Sequence, residues 1–248
     1  MCTAGELQAG GLSVEWSAGR GMSRSRLSAS HGPRVKACYD ANLTSDRATR
    51  TGGGMEDIAR FILDRSAAHI KRYHTTPMFA QESVAEHTHF VAMITRIICH
   101  VLTQAGYPID TLRAVDLALI HDYEEAISGD IISTFKHSDA ELTDLLTRQT
   151  DKAIDSVFET LPDDLASYYI ELWRGHSSGS VEGQVVSVAD KLSGLAFSHE
   201  QLLMGNRFME PIYRRFVDII ATVPYEWWPL VQERVAAGLI DRQLVETT

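Results

Sequence analysis

The spacing of apolar residues from Met55 onward limits this chain to one class of fold. Ile58, Phe61, Ile62 and Ile70 recur at roughly helical spacing, and later segments repeat the pattern. The same part of the chain has no Asn-Gly or Asp-Gly hairpin signal and no sustained alternation of period two. The sequence therefore predicts an all-α domain of about seven or eight helices over residues 55–248, without an internal repeat.

Local start signals divide this pattern into helices. In "SVAEHTHFVAMITRIICHVLTQAG", Ser83 is followed three residues later by Glu86, a spacing typical of a capping box. Asp110 is the expected N-cap of a helix that runs from Thr111 to about Ser128. Further helices are predicted after a second box formed by Ser138 and Glu141, and over about 180–204, 207–222 and 225–238.

Residues 1–54 differ from the rest of the chain. "SAGRGMSRSRLSASHGPR" is rich in Ser, Gly and Arg and has no apolar periodicity, so we expect a disordered tail. Two alternatives stay open, an organellar transit peptide and a natural start at Met55. The tail carries a charge balance of +3 and the remainder of −13.

This composition excludes several classes of function. An acidic body lacks the clustered cations that grip a nucleic-acid polymer. Cys2, Cys38 and Cys99 form no CxxC pair and are odd in number, which favours a reducing compartment over a disulfide framework. The longest apolar stretch, "FVAMITRIICHVL", is interrupted by Arg96 and His100, and no signal peptide is evident. We expect a cytoplasmic protein without a membrane partner.

The stretch "LIHDYEEAISGD", residues 119–130, places several ionisable groups inside an otherwise apolar helical pattern. On a helix, Glu125 would share a side with His121 and Asp122. A histidine nitrogen and an aspartate oxygen can share one divalent cation, although two ligands do not complete a site. Glu124 would point about 100° away from Glu125 and is expected to face solvent.

Two further residues are candidates to complete such a site. His87 lies in "SVAEHTHFVAM", and Asp190 lies among valines in "VVSVADKLSGLAF". A charge in those surroundings is costly unless a metal or a partner such as Lys191 satisfies it. Taken singly, Asp190 fits a structural salt bridge and His87 a satisfied core histidine. Only their combination with the His-Asp pair favours a metal centre.

That combination, H…HD…D over three predicted helices, resembles the HD-domain metal-dependent phosphohydrolases. Within that superfamily the sequence is similar to the bacterial 5′-deoxynucleotidases and the related deoxynucleoside triphosphohydrolases. The resemblance covers roughly residues 58–200 and is carried by "KRYHTTP", "QESVAEHTHFVAM", "LALIHDYEEAISGDI" and "VSVADKLSGLAF".

The resemblance implies a metal centre with a neighbouring acid/base residue. Its ligands would be His87, His121, Asp122 and Asp190, and Glu125 would handle the proton of the attacking water. Two imidazoles and two carboxylates suit one divalent ion, which could be Mn, Co, Mg, Fe or Zn.

The resemblance also implies substrate contacts. Arg72, fifteen residues before His87, would bind the phosphate, and Asp130 would contact the sugar and help select a deoxyribose. Tyr73 stands where deoxynucleotidases carry a tryptophan against the base, which leaves base preference open. Lys136 lies in a segment without the usual prolines and could reach an extra phosphate. The alternative for Lys136 is a solvated lysine, and the alternative for Arg72 is a surface arginine.

The expected function is hydrolysis of deoxynucleoside 5′-monophosphates, a small-molecule reaction. One alternative keeps the same site but releases triphosphate from a dNTP, for example dATP. Another is a catalytically inactive metal-binding regulatory module, against which the intact Glu125 and Arg72 argue. By analogy with the family, a homodimer is possible.

Overall fold

Residues 55–136, 138–176 and 179–240 are described by a computed structural model, and they are helical with one isolated bridge between Lys71 and Ser83. The expectations for residues 1–54 lie outside these described residues. The helices are α1 (Met55–Leu63), α2 (Val84–Gln104), α3 (Thr111–Ile120), α4 (Glu125–Ser128), α5 (Ser133–Lys136), α6 (Ala140–Phe158), α7 (Asp163–His176), α8 (Val181–Leu203), α9 (Glu210–Ala221) and α10 (Trp228–Ala236). Eight of the helices in these ranges have nine residues or more, so the predicted all-α fold is confirmed.

Helix α8 is the centre of the packing. It contacts α2, α3 and α9, and its apolar side chains, Val185, Val188 and Leu192 among them, are buried. Helices α8 and α9 approach closely at Gly194, where an added Cβ would lie 2.3 Å from the ring of Phe216 on α9. No helix in the described part of the chain combines the length and apolar character needed to cross a bilayer.

Two of the predicted helix starts are confirmed and one is wrong. Ser83 and Glu86 form a complete capping box at α2, and Asp110 accepts a hydrogen bond from the backbone N–H of Arg113 at α3. At α6 the cap is Asp139 and not Ser138. The Asp139 carboxylate accepts from the backbone N–H groups of residues 141 and 142, whereas the Ser138 hydroxyl donates to the carbonyl of residue 135.

The helix predicted from Thr111 to Ser128 is interrupted. Helix α3 ends at Ile120, and residues 121–124 form a tighter turn in which Tyr123 donates to the carbonyl of Ile120 and Glu125 to that of Asp122. A regular helix would set His121 and Asp122 about 100° apart around its axis. In the turn, Asp122 Oδ2 lies 3.2 Å from His121 Nε2.

An aromatic cluster holds this turn from the side. The Tyr123 ring stacks on Phe61 and Phe158 at centroid distances of 5.8 and 5.3 Å, and Phe158 stacks on Tyr169 at 5.3 Å. These rings come from α1, α6 and α7. The turn that carries the His-Asp pair is therefore fixed by apolar packing from three helices.

Candidate metal and phosphate site

Four side chains that are far apart in sequence converge in the structure. His87 Nε2, on α2, lies 3.1 Å from Asp190 Oδ1 on α8 and 3.5 Å from Asp122 Oδ2 after α3. One ligand atom of each of His87, His121 and Asp190 lies within 4.8 Å of the others. The structure thus brings together the four residues for which a ligand role is expected. Three of them, His87, His121 and Asp190, are arranged so that they could hold one cation, and Asp122 lies 3.2 Å from His121 and 3.5 Å from His87.

Each histidine makes a second contact that fixes its ring. His121 Nδ1 donates to the carbonyl of Ala118 at 2.8 Å, which leaves Nε2 as the nitrogen that faces the cluster. That Nε2 atom is buried and makes no hydrogen bond of suitable geometry with residues in the described ranges. His87 Nδ1 lies 3.1 Å from Ser193 Oγ. Such outer contacts are characteristic of histidines that bind metals through the other nitrogen.

The two aspartates are held in their ionised form. Burial opposes ionisation, but His121 lowers the pKa of Asp122 to about 2. Burial also opposes ionisation of Asp190, and the hydrogen bond from His87 together with Lys191 holds its pKa well below the usual range. Lys191 Nζ lies 2.6 Å from Asp190 Oδ2, while Oδ1 faces His87. Two anionic carboxylates beside buried imidazole nitrogens fit a divalent cation.

The neighbouring glutamates are shifted in the opposite direction. Burial, followed by repulsion from Asp122 and Asp130, raises the pKa of Glu125 to about 8. Its Oε2 atom is buried and has no hydrogen-bond partner within the part of the chain that the structure describes. The prediction that Glu124 faces solvent is wrong, because its side chain is only 13% exposed. Burial raises the pKa of Glu124 to about 7, and Lys136 Nζ lies 3.5 Å from its Oε1 atom.

A second set of contacts beside the cluster is formed by residues 72–82. The Arg72 side chain is 13% exposed, and its Nη1 donates to Glu82 Oε2 at 3.1 Å. The backbone N–H of Tyr73 donates to Asp130 Oδ2 at 3.1 Å. The Tyr73 ring stacks on Phe197 at a centroid distance of 5.7 Å, and the Arg72 guanidinium lies 5.2 Å from the centroid of the same ring. Arg72 is therefore not a surface arginine.

Gly129 allows Asp130 to reach Tyr73. Its backbone has φ 75° and ψ 164°, a region that is essentially restricted to glycine. The chain reverses there directly after α4, so the Asp130 carboxylate returns toward the segment that carries Arg72 and Tyr73. The glycine of the "SGD" sequence thus connects α4, which follows the His121–Asp122 turn, to the contact between Asp130 and Tyr73.

Glu82 is a site residue that the sequence did not reveal. Its side chain is 5% exposed, and burial raises its pKa to about 7 although Arg72 opposes the shift. The only available signal was an acid immediately before the Ser83 cap, and most such acids are solvated.

A cavity of about 410 Å³ opens beside the convergent side chains. Its walls include His121, Asp122, Asp190, Lys136, Lys191 and Tyr225. A small ligand in this cavity would meet two lysine ammonium groups and an aromatic ring next to the cluster.

Solved structures identify the fold. The fold matches an HD-domain phosphohydrolase from Listeria innocua with a TM-score of 0.67, at 22% identity, over 77% of this chain and 93% of that one. It also matches a protein from Pyrococcus horikoshii with a TM-score of 0.59, at 25% identity, over 74% of this chain and 99% of that one. The chain has the HD-domain phosphohydrolase fold.

The sequence comparison gives the family. The model of the 5′-deoxynucleotidase YfbR-like family matches residues 62–227, and the chain belongs to this family. A 5′-deoxynucleotidase from Erwinia tasmaniensis is 28% identical over 127 residues, which are 50% of this chain and 64% of that protein. A 5′-deoxynucleotidase from Vibrio parahaemolyticus is 24% identical over 138 residues, 55% of this chain and 71% of that protein. The chain thus spans slightly less than two thirds of the Erwinia relative.

Proposed function

We propose that the protein is a divalent-metal-dependent 5′-deoxynucleotidase, which hydrolyses deoxynucleoside 5′-monophosphates to deoxynucleoside and phosphate. The observation that supports this most directly is the convergence of His87, His121, Asp122 and Asp190, with Glu125, whose Oε2 atom is buried, three residues after Asp122. The relatives from Erwinia and Vibrio that carry this name support the choice of substrate class.

The four convergent residues are assigned as ligands of one divalent cation. The buried His121 Nε2 atom lies 3.2 Å from Asp122 Oδ2 but forms no hydrogen bond of suitable geometry with the described residues, and it suits coordination. The two ionised aspartates would neutralise the charge of the cation. When bound, the cation would supply Lewis acidity toward a phosphoryl oxygen and toward water. The identity of the ion is left open among Mn, Co, Mg, Fe and Zn.

Side chains of the protein would carry out phosphate binding and proton transfer in this hydrolysis. Arg72 presents a planar set of donors that matches phosphate oxygens and absorbs the charge that develops on them. Glu125 accepts a proton from the attacking water, and the P–O5′ bond breaks as the leaving 5′-oxygen takes up a proton. A carboxylate whose pKa lies near neutrality is suited to both proton transfers.

The nucleoside would be held by the residues around Asp130. One Asp130 oxygen accepts the Tyr73 N–H, and we assign the carboxylate to a sugar hydroxyl. Because the Tyr73 ring stacks on Phe197 and also has the Arg72 guanidinium 5.2 Å from its centroid, its contact with a base would be made by an edge or by the hydroxyl group. The Tyr73 hydroxyl is buried and has no hydrogen-bond partner among the described residues, which leaves it free for a substrate group.

One observation favours a second candidate, a dNTP triphosphohydrolase. Lys136 and Lys191 both line the cavity beside the cluster, and two ammonium groups would suit the second and third phosphates of a dNTP. In that reaction the same water attack would release triphosphate in place of phosphate.

A metal-by-nucleotide activity screen of the purified chain tests these proposals together. Colorimetric detection of phosphate and chromatographic detection of triphosphate separate the two reactions, and Asp122→Ala serves as the control that should lose both metal and activity. Full activity of that variant without bound metal would refute the assigned centre. Absence of turnover with every ion and nucleotide would favour a regulatory module.

A further inference from the structure

We infer that Glu82 is a positioning residue, which holds the Arg72 guanidinium in place for a phosphate group and ties it to His87. The inference rests on the proposed function, since it assumes that Arg72 meets the phosphate of the substrate. It goes beyond that function because it assigns the role to a residue that makes no direct contact with the reacting atoms.

Glu82 holds Arg72 through both backbone and side chain. The backbone N–H of Arg72 donates to the Glu82 carbonyl at 3.0 Å, and Arg72 Nη1 donates to Glu82 Oε2 at 3.1 Å. The two segments also pair through the bridge between Lys71 and Ser83. Arg72 is therefore fixed at two points by one residue, ten positions along the chain.

The same carboxylate reaches the candidate metal centre. Glu82 Oε2 lies 3.9 Å from His87 Nδ1, the nitrogen that also contacts Ser193 Oγ at 3.1 Å. His87 Nε2, on the other side of the ring, faces Asp190 and Asp122. The Glu82 carboxylate thus lies between the two groups, hydrogen-bonded to the Arg72 guanidinium and 3.9 Å from the His87 imidazole.

Burial explains why an acid is needed at this position. The side chains of Arg72 and Glu82 are 13% and 5% exposed, so a buried guanidinium without a partner would be strongly unfavourable. The contact occupies Nη1, and no described residue accepts a hydrogen bond from Nη2 or Nε, so this fork of donors can bind phosphate oxygens. A guanidinium that is already oriented loses less freedom when phosphate binds.

A double-mutant cycle tests the inference. The affinity of the full chain, saturated with Mn²⁺, for inorganic phosphate would be measured by calorimetry for wild type, Glu82→Ala, Arg72→Ala and the double variant. We expect Glu82→Ala to weaken phosphate binding about tenfold and to raise KM more than it lowers kcat. Because Glu82 acts through Arg72, the double variant should bind phosphate no more weakly than Arg72→Ala alone.

Two further variants separate positioning from general stability. Glu82→Gln keeps an oxygen that can accept from Nη1 and should recover part of the affinity. Glu86→Ala is the matched control, because it removes an exposed acid of the same segment and opens the capping box of α2. It should lower Tm without changing phosphate affinity.

The outcomes distinguish this inference from the proposed function. Unchanged phosphate binding in Glu82→Ala, additive losses in the double variant, or no phosphate binding by the wild type would overturn the role of Glu82. Coupled losses of phosphate binding in a protein that hydrolyses no nucleotide would support Glu82 and refute the nucleotidase proposal.

Discussion

Asp122 and Glu125 lie three residues apart, yet their surroundings shift their pKa values in opposite directions. Burial raises both values, but Asp122 is adjacent to His121, which reverses the shift and lowers its pKa to about 2. Glu125 faces the negative charges of Asp122 and Asp130, which add to burial and raise its pKa to about 8. One acid is thus suited to stay ionised beside a cation and the other to exchange a proton.

If Glu125 exchanges a proton during hydrolysis, the Glu125→Gln variant should lose activity. The amide keeps the size of the side chain but cannot accept a proton, so turnover should fall by about 10²–10⁴-fold. Because Glu125 is not among the assigned ligands, bound metal, measured by elemental analysis, should be retained. Glu124→Gln removes a charge one residue away and should have a much smaller effect. A kcat close to that of the wild type in Glu125→Gln would remove this residue from the mechanism.

Among the secondary structure elements, α8 and α9 have a contact at Gly194 that leaves no room for added volume. At Gly194 a methyl group would meet the Phe216 ring at 2.3 Å, well inside van der Waals distance. Gly194→Ala should therefore lower the free energy of unfolding by about 1–3 kcal/mol, as overpacked cores do. Since α8 carries Asp190, metal affinity should fall as well.

Chemical denaturation measures this loss, and Gly238→Ala is the control. A Cβ at Gly238 would have no atom within 4 Å, so that variant should unfold at the wild-type denaturant concentration. Equal denaturation midpoints for Gly194→Ala and Gly238→Ala would show that the Phe216 ring moves aside without a loss of folding free energy.

Local patterns predicted the helices well because caps and apolar spacing act within a few residues. Ser83 with Glu86 and the Asp110 cap needed no tertiary information. The second capping box failed because two acceptors, Ser138 and Asp139, compete at one helix start, and the carboxylate accepts two N–H groups.

The features that sequence reasoning missed depend on tertiary contacts. The break after Ile120 is held by aromatic rings from α1, α6 and α7, which lie far from it in the chain. The burial of Glu82 and Glu124 likewise depends on partners, Arg72 and Lys136, that periodicity does not identify. The ligand candidates were found because the motif order of a known family supplied the missing long-range information.

For the whole molecule, the buried acids predict how stability depends on pH. Three glutamates have folded pKa values of about 7, 7 and 8, above the ordinary 4.5 of an unfolded chain (Glu82, Glu124 and Glu125). The folded state binds their protons more tightly, so stability falls as pH rises toward 8. His121, with a pKa raised to about 9 by Asp122 against the effect of burial, acts in the same direction, because its contribution is complete below 6.5 and is lost as pH passes 9.

We therefore expect the Tm of the chelated protein to fall between about pH 6 and 9. Saturation with Mn²⁺ should reduce this slope, because a cation favours the ionised carboxylates and the neutral imidazole. Glu125→Gln should also reduce it, since one titrating group is removed. A Tm that rises over this range in chelator would contradict the pKa directions.

The organisation of the chain gives another prediction. Helices α1–α10 and all of the assigned residues lie after residue 54, and the family match begins at residue 62. Deletion of residues 1–54 should leave kcat, KM and Tm nearly unchanged. A large decrease in any of the three would mean that the first 54 residues contribute to the folded domain.

The aromatic packing of the His-Asp turn has a consequence for metal uptake. Tyr123 is clamped by Phe61 and Phe158, and His121 is oriented by a backbone carbonyl, so neither depends on a cation for its position. An ion would then bind to a preorganised site. Removal of the ion by a chelator should abolish catalysis and leave the far-UV circular dichroism spectrum unchanged. Restoring the ion should return activity at the speed of diffusion and ligand exchange, with no refolding delay.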